Sequence, residues 1–232
     1  MEGGTTSYVN VCYQSDDSSN EYPSILQVAP LCVPSPASIP NLVNAQLGSV
    51  WVSLRLQHLN SQWMKVLRLF DDRDDYASYV FSLESMLISM KRVIDDLIMC
   101  AYCLLEEDAV LQTKKIEVDG WGVLFKRGVP TELGQRLIDK FIGQYDEFPN
   151  ILNELVNALK HSYLMGEART EWNNSFPLVK GIYAERNNYS KVVRIHNHDA
   201  RQLVLGFNRI VKQLLVGMHP HSVGGVLPLS FN

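Results

Sequence analysis

The feature that most constrains the fold is a long helical stripe of apolar residues in the middle of the chain. Its members recur at spacings of three and four: Tyr79, Leu83, Met86, Met90, Val93, Leu97, Ala101 and Leu104. Such spacing places side chains on one face of an α-helix, and flanking apolar positions indicate a helix buried on several sides. A second helical stripe runs from Val52 to Phe70, and the acidic residues 71–75 between the two offer Asp74 or Asp75 as an N-cap. Two long helices joined by a short turn are predicted to pack antiparallel.

Two segments change from the helical period to the alternation that is typical of strands. The first lies near residues 114–127, where Asp119-Gly120 fits a tight turn between two short strands. The second lies at residues 177–196, with strands predicted at Leu178–Ala184 and Lys191–His196. Each segment is therefore predicted to form a small β-hairpin.

Helix-start signals complete the expected architecture. Thr131 is predicted to start one helix, and Pro149 is predicted to begin another. Asp199 followed by Gln202 has the spacing of a capping box at the start of a last helix. We predict a mainly α fold, a helical bundle of about five helices with small β-hairpins, formed by residues 46–232. At 232 residues the chain is within the range that one hydrophobic core can serve.

Residues 1–45 have a different composition from the rest of the chain. They are rich in Ser, Asn, Pro and Gly, and their five prolines block helix formation. Short apolar pieces such as Ile25-Leu26 can pack on a core. The sequence therefore predicts an extended N-terminal arm that packs on the bundle.

Charge is distributed unevenly along the chain. The net charge of −4 argues against nucleic-acid binding through bulk charge. Acidic residues concentrate at 71–108, whereas basic residues concentrate at 180–212. Lys191, Arg194 and Arg201 are the candidate nucleic-acid-binding residues in the basic tract, because such a tract can follow a phosphate backbone. The other interpretation is that these basic residues form a charged strand edge and a solvated helix face without binding nucleic acid.

Several other features bear on location and chemistry. The chain shows neither the start of a signal peptide nor an apolar run long enough to span a bilayer, so we expect a cytoplasmic protein without a membrane partner. Cys100 and Cys103 have the spacing of a redox or zinc pair but lie in the most apolar helix, where cysteine commonly serves as a small buried side chain. His196, His198 and Asp199 form a partial metal-ligand set without an identifiable further ligand. We predict no metal and no cofactor.

The strongest candidate for a functional site is the segment from Asn157 to His161. On a helical wheel, Asn157 and His161 share one side with Asn150 and Glu154, and this polar strip is predicted to face away from the core. An imidazole there can act as a general acid or base or contact a phosphate, oriented by the neighbouring amide. The other interpretation is an ordinary solvated helix face.

This segment resembles a signature helix of the HEPN superfamily. Some relatives carry the form Asn-x-x-Lys-His, which Asn157, Lys160 and His161 match. The resemblance implies a helical bundle, a dimer whose signature helices meet at a composite cleft and, in toxin and anti-phage systems, RNA cleavage. Active members place an arginine directly before the polar residue, where this chain has Val156. Without that cation, the developing charge on a phosphate lacks its stabilising partner.

Two functions follow from these observations. The first is a HEPN-like protein that is non-enzymatic or degenerate and acts through a protein or RNA partner in stress or phage defence, and the missing arginine favours it. The second is a metal-independent ribonuclease in which His161 is the general acid/base, Asn157 orients it, and Lys160 or Arg169 supplies positive charge. The resemblance also predicts a homodimer in which the polar strips of two copies meet and His161 lies beside the partner subunit.

Overall fold

The two longest helices follow the two apolar stripes. In the computed structural model, which describes residues 7–9, 22–34, 43–126, 129–144, 146–160, 176–184 and 192–219, they are α1 (Val43–Asp72) and α2 (Tyr76–Leu105). The helices pack antiparallel, and polar pairs at the edge of their contact join Arg55 to Asp96 and Gln62 to Ser85. Asp75 is the N-cap of α2, because its carboxylate accepts a hydrogen bond from the Ser78 amide. The predicted helical pair and its cap are therefore confirmed.

Four shorter helices complete the described bundle. They are α3 (Glu107–Thr113), α4 (Glu132–Leu137, continued by a π-helical turn at Ile138–Ile142), α5 (Phe148–Lys160) and α6 (Ala200–Met218). Thr131 caps α4 by accepting a hydrogen bond from the Gly134 amide, and Asp199 caps α6 by accepting one from the Arg201 amide. The mainly α fold with small antiparallel strand pairs is thus confirmed. None of the described helices has both the length and the apolar content to cross a bilayer.

A three-stranded sheet packs against one side of the bundle. It contains β1 (Ser7–Val9), β4 (Leu178–Ala184) and β5 (Val192–Asp199), in the order β1-β5-β4. The β4–β5 pair is antiparallel, and β4 has the predicted bounds, whereas β5 continues three residues beyond the predicted end at His196. We call these three strands the sheet. The parallel pairing of β1 with β5 joins the N-terminal region to a strand near the end of the chain, which the sequence did not predict.

The hairpin predicted near residues 114–127 is displaced. Residues 114–119 lie outside helices and strands, Trp121–Leu124 form a 3-10 turn, and the antiparallel pair is β2 (Phe125–Lys126) with β3 (Val129–Pro130). The Trp121 side chain is buried, and its backbone amide donates a hydrogen bond to the Asp95 carboxylate of α2. This segment is therefore held by contacts with helices rather than by cross-strand hydrogen bonds, which explains why alternation alone misplaced the hairpin.

Besides β1, the structure describes residues 22–34 of the N-terminal arm, which lie on the helices in a mainly extended conformation with a 3-10 turn at Pro30–Cys32. Ile25, Val28 and Val33 are buried in the main core. Hydrogen bonds from helix side chains hold the arm backbone: the Trp63 indole donates to the Pro23 carbonyl at 2.7 Å, and the Asn208 amide donates to the Ser24 carbonyl at 2.7 Å.

Helix α5 occupies the position that matters for the candidate site. It packs on α2 and α6 on one side and on β4 of the sheet on the other. Its strongly apolar side completes the bundle core, since the following residues are buried: Phe148, Ile151, Leu152, Leu155, Val156 and Leu159. The polar side of α5 consequently faces the sheet.

Candidate functional site at the contact between α5 and β5

The polar strip of α5 lies under other parts of the chain. The sequence predicted that Asn150, Glu154 and Asn157 face away from the core. On α5 they lie on the polar side, which faces the sheet and the Trp121–Leu124 turn rather than open solvent. All three residues are half-buried. A helical wheel identifies which residues share a side of a helix, but it does not show what packs on that side.

The N-terminal end of the strip contacts the 3-10 turn at Trp121–Leu124. The Trp121 indole donates a hydrogen bond to the Asn150 side-chain oxygen at 2.6 Å. One turn further along α5, the Asn153 side-chain oxygen lies 4.0 Å from the position that a β-carbon on Gly122 would occupy. The Trp121–Leu124 turn therefore covers the N-terminal end of the polar strip, and its indole donates to the side-chain amide of Asn150.

Side chains of strand β5 reach the middle of the strip, beside the closer contact of α5 with β4. Alternation along the strand places Arg194, His196 and His198 on one face, and Glu154 of α5 lies against that face. One Glu154 oxygen accepts a hydrogen bond from the Arg194 guanidinium at 3.3 Å and lies 3.3 Å from Nε2 of His196. Nδ1 of His196 in turn lies 3.0 Å from Nε2 of His198. We call these four side chains the seam.

The seam is closely packed. His196 is fully buried and His198 is 1% exposed. On the neighbouring strand β4, Gly181 pairs with His196, and a β-carbon at Gly181 would lie 3.4 Å from that of Ala158 on α5. The sheet and the helix are therefore in direct contact beside the two imidazoles.

The two imidazoles share one hydrogen bond, between Nδ1 of His196 and Nε2 of His198, and its direction depends on the tautomers of the rings. Nε2 of His196 lies 3.3 Å from the Glu154 carboxylate in a geometry that does not form a hydrogen bond.

Burial also determines the charge of the seam. Desolvation, followed by the repulsion of a charge on His196, lowers the pKa of His198 from its ordinary 6.5 to about 3. His198 is therefore neutral in the folded protein at neutral pH. Because both imidazoles are buried and hydrogen-bonded to each other, neither presents a proton to a substrate in this arrangement.

The partial metal-ligand set seen in the sequence does not converge on one point. His196 and His198 hydrogen-bond to each other, whereas Asp199 caps α6 and binds the guanidinium of Arg201. Across the described ranges, no group of three or more His, Cys, Asp or Glu side chains is arranged to hold a metal ion.

Two of the predicted catalytic residues, Asn157 and Lys160, lie near the C-terminal end of α5. Asn157 is half-buried on α5, and Lys160, the last residue of that helix, is exposed. His161 and Arg169 lie outside the described residues, so their place relative to Asn157 remains a prediction.

The predicted nucleic-acid-binding residues Arg194 and Arg201 both bind carboxylates of the chain itself. Arg194 pairs with Glu154 in the seam. Arg201 makes a two-pronged contact with Asp199, with its terminal nitrogen at 2.7 Å, and its guanidinium lies 4.2 Å from the centre of the Phe176 ring. Lys191 lies outside the described residues.

Of the two cysteines of α2, Cys103 is buried and Cys100 is half-buried. The Cys100 sulfur lies 3.0 Å from the Pro34 carbonyl of the arm, and Cys103 is buried in the core. Desolvation, and for Cys100 also the neighbouring Cys103, raises the pKa of Cys100 to about 12, and desolvation raises that of Cys103 to about 11. Thiols with such raised pKa values are unreactive at neutral pH.

Sequence reasoning found both imidazoles of the seam but not their partner. The spacing of His196 and His198 placed them on one side of a strand, and Glu154 was assigned to the outward strip of α5. Three polar residues at alternate positions of a strand, two of them histidines, were the available signal that this strand face packs on a polar surface. Comparison of the chain with protein-family models, with curated proteins and with solved structures finds no match.

Proposed function

We propose that this chain is a non-catalytic, HEPN-like helical protein that acts by binding a protein partner. The burial of His196 and His198 is the observation that carries the proposal. A general acid or base must come within hydrogen-bonding distance of the substrate proton that it transfers. Neither imidazole of the seam can do so while the sheet lies on α5.

The pairing of the basic residues favours a protein partner over RNA. Binding to a phosphate backbone draws its free energy from cations that replace the counterions of the phosphates. Arg194 and Arg201 already neutralise Glu154 and Asp199 within the chain. Their transfer to phosphates would leave these two carboxylates unpaired.

The outer face of α1 supplies a surface for such a partner. Four large apolar side chains on this helix are exposed, by fractions between 38% and 56%: Val50, Trp51, Leu54 and Met64. Between Val43 and Phe70 the helix contains no Asp or Glu, and Lys65 and Arg68 are exposed. An apolar face with cations beside it fits a partner that contributes apolar side chains flanked by carboxylates.

Photo-crosslinking tests the protein partner. The photoreactive residue p-benzoylphenylalanine is placed at Trp51 or, as a matched control, at Val123, which is 50% exposed on the Trp121–Leu124 turn. We expect a discrete protein adduct from position 51, none from position 123, and loss of the adduct when Lys65→Glu and Arg68→Glu are added. Equal adducts from both positions, or an adduct that ribonuclease removes, would contradict the proposal.

An RNA-cleavage assay tests the non-catalytic part separately. Purified wild-type protein and a His161→Ala variant are incubated with mixed RNA, and both are expected to leave it intact. Cleavage by the wild type that His161→Ala abolishes would establish the ribonuclease instead.

A further inference from the structure

We propose that the groove between α1 and α2 binds an acidic amphipathic helix of a partner protein. The inference rests on the proposed function and deepens it, because it names the class of partner and places the contact where the two longest helices meet. Three observations carry it: polar pairs that mark an open edge between the helices, exposed apolar side chains along that edge, and an excess of cations beside it.

Two polar pairs mark where the edges of α1 and α2 meet. Arg55 of α1 binds the Asp96 carboxylate of α2, and the Gln62 side chain donates a hydrogen bond to the Ser85 hydroxyl at 2.9 Å. Arg55 and Gln62 are seven residues apart, about two helical turns, so they share one edge of α1. Both pairs are partly open to solvent. We call the outer surface along these two pairs the groove.

Three large apolar side chains flank the groove. Trp51 of α1 is 55% exposed, and Phe81 and Ile88 of α2 are 67% and 37% exposed. Trp51 lies four residues before Arg55. Phe81 lies four residues before Ser85, and Ile88 lies three residues after it. Such spacings place side chains next to each other on a helix, so an apolar row from each helix borders the groove. Exposed apolar side chains grouped in this way are typical of a surface that binds another protein.

The groove carries more cations than carboxylates. Lys65 of α1 follows Gln62 by three residues, and Arg92 of α2 precedes Asp96 by four. Both cations are exposed, and neither forms an ion pair within the described part of the chain. Burial, followed by the positive charge of Arg92, lowers the pKa of Arg55. Two guanidinium groups thus lie near the single carboxylate of Asp96, and a further carboxylate would relieve their repulsion.

The other carboxylates of the two helices do not neutralise the groove. Asp95 binds Lys91 and accepts a hydrogen bond from the Trp121 amide, on the side of α2 that faces the Trp121–Leu124 turn. Glu84 is one residue from Ser85, which turns it about 100° away from α1. The acidic turn at residues 71–75 lies beyond Lys65, at one end of the groove. The middle of the groove therefore has a net positive charge.

These features favour one class of partner. Phe81 and Ile88 are seven residues apart, a spacing that a helix laid along the groove can match with its own apolar side chains. Lys65 and Arg92 belong to different helices, so carboxylates on both flanks of the bound helix would find a cation. A second copy of this chain would bring the same cations against each other. Two cations on opposite sides of an apolar groove are also too few to follow a phosphate backbone.

Binding of a designed peptide to the purified full chain tests the proposal. The probe is a fluorescent peptide of about 20 residues, long enough to form a helix, with leucines at heptad spacing and glutamates beside them. One control peptide has lysine in place of every glutamate, and another has the composition of the probe in scrambled order. By fluorescence anisotropy, we expect the probe to bind about tenfold more tightly than either control. Equal affinity for a control peptide would overturn the proposal.

Substitutions locate the contact. The double variant Lys65→Glu with Arg92→Glu is expected to bind the acidic probe about tenfold more weakly and to bind the lysine peptide more tightly than the wild type does. Phe81→Ala should weaken the probe by a similar factor. The matched control, Lys126→Glu with Val123→Ala, changes an exposed cation and an exposed apolar side chain elsewhere and should leave both affinities unchanged. An equal loss in this control, or no gain for the lysine peptide, would contradict the proposal.

The place of contact separates this inference from the proposed function. p-Benzoylphenylalanine is placed at Phe81, beside the groove, or at Met64, which is 56% exposed and about 200° from Gln62 on α1. An adduct with the probe from position 81 and not from position 64 supports the groove. An adduct from position 64 alone would overturn the groove and leave the partner surface on α1 standing. Failure of the probe to bind would likewise overturn only this inference, because crosslinking from position 51 tests the proposed function without the probe.

The same assay detects the other occupants of the groove. Sedimentation of the chain alone that shows a dimer, lost in Phe81→Ala, would assign the groove to a second copy. Displacement of the probe by single-stranded RNA, lost in the variant with Lys65→Glu and Arg92→Glu, would assign it to RNA. Either result would overturn the proposal.

Discussion

The contact between α1 and α2 and the contact between α5 and β5 both bury helix surface, but they do so with different chemistry. Between α1 and α2 the centre is apolar, with Trp63 and Met86 fully buried, and polar pairs such as Gln62 with Ser85 lie at the edge. Between α5 and β5 the contact is made by polar side chains, of which His196 and His198 are buried. The first contact should therefore resist pH and depend on shape, whereas the second should depend on charge.

The largest effect is expected from Trp63→Ala in the apolar contact. The substitution leaves a large cavity and removes the indole hydrogen bond to Pro23, so we expect the free energy of unfolding to fall by about 4 kcal/mol. Urea denaturation at pH 7 measures this. The matched control is Trp51→Ala on the same helix, where the side chain is 55% exposed and the loss should be below about 1 kcal/mol. Equal losses in the two variants would show that α1 does not bury the face described.

An intermediate effect is expected from Glu154→Gln in the seam. Glutamine keeps the size of the side chain but removes the charge that faces Arg194 and His196. We expect a loss of about 2 kcal/mol at pH 7, less than for a fully buried ion pair because the Arg194 side chain is 36% exposed. Glu117→Gln, which affects an exposed pair with Lys115, should change stability by no more than about 0.5 kcal/mol. If Glu154→Gln were as stable as Glu117→Gln, charge would matter no more in the seam than in an exposed ion pair.

The smallest effect is expected from Ser85→Ala at the edge of the α1–α2 contact. Its hydroxyl accepts a hydrogen bond from Gln62 at 2.9 Å, but the pair is open to water, which can replace it. The expected loss is about 0.5 kcal/mol or less by the same denaturation measurement. A loss as large as that of Glu154→Gln would mean that polar groups matter equally in both contacts.

The two contacts also differ in how well the sequence predicted them. The stripes of α1 and α2 and the cap at Asp75 depend on residues near in sequence, so spacing and cap chemistry were sufficient. The same holds for the bounds of β4 and for the caps at Thr131 and Asp199. In the seam, Glu154 pairs with Arg194, which lies 40 positions later in the chain. No local sequence pattern specifies such a pairing.

Local patterns specify where the main helices and the β4–β5 hairpin form, because periodicity, capping and turn chemistry act over a few residues. They also specify that α5 has one apolar and one polar side. The tertiary structure alone decided that the sheet and Trp121 cover the polar side, that β1 joins β5, and that His196 and His198 are buried. These outcomes depend on which surfaces meet across the whole chain, and a helical wheel contains the angle of each side chain but not the identity of its neighbour.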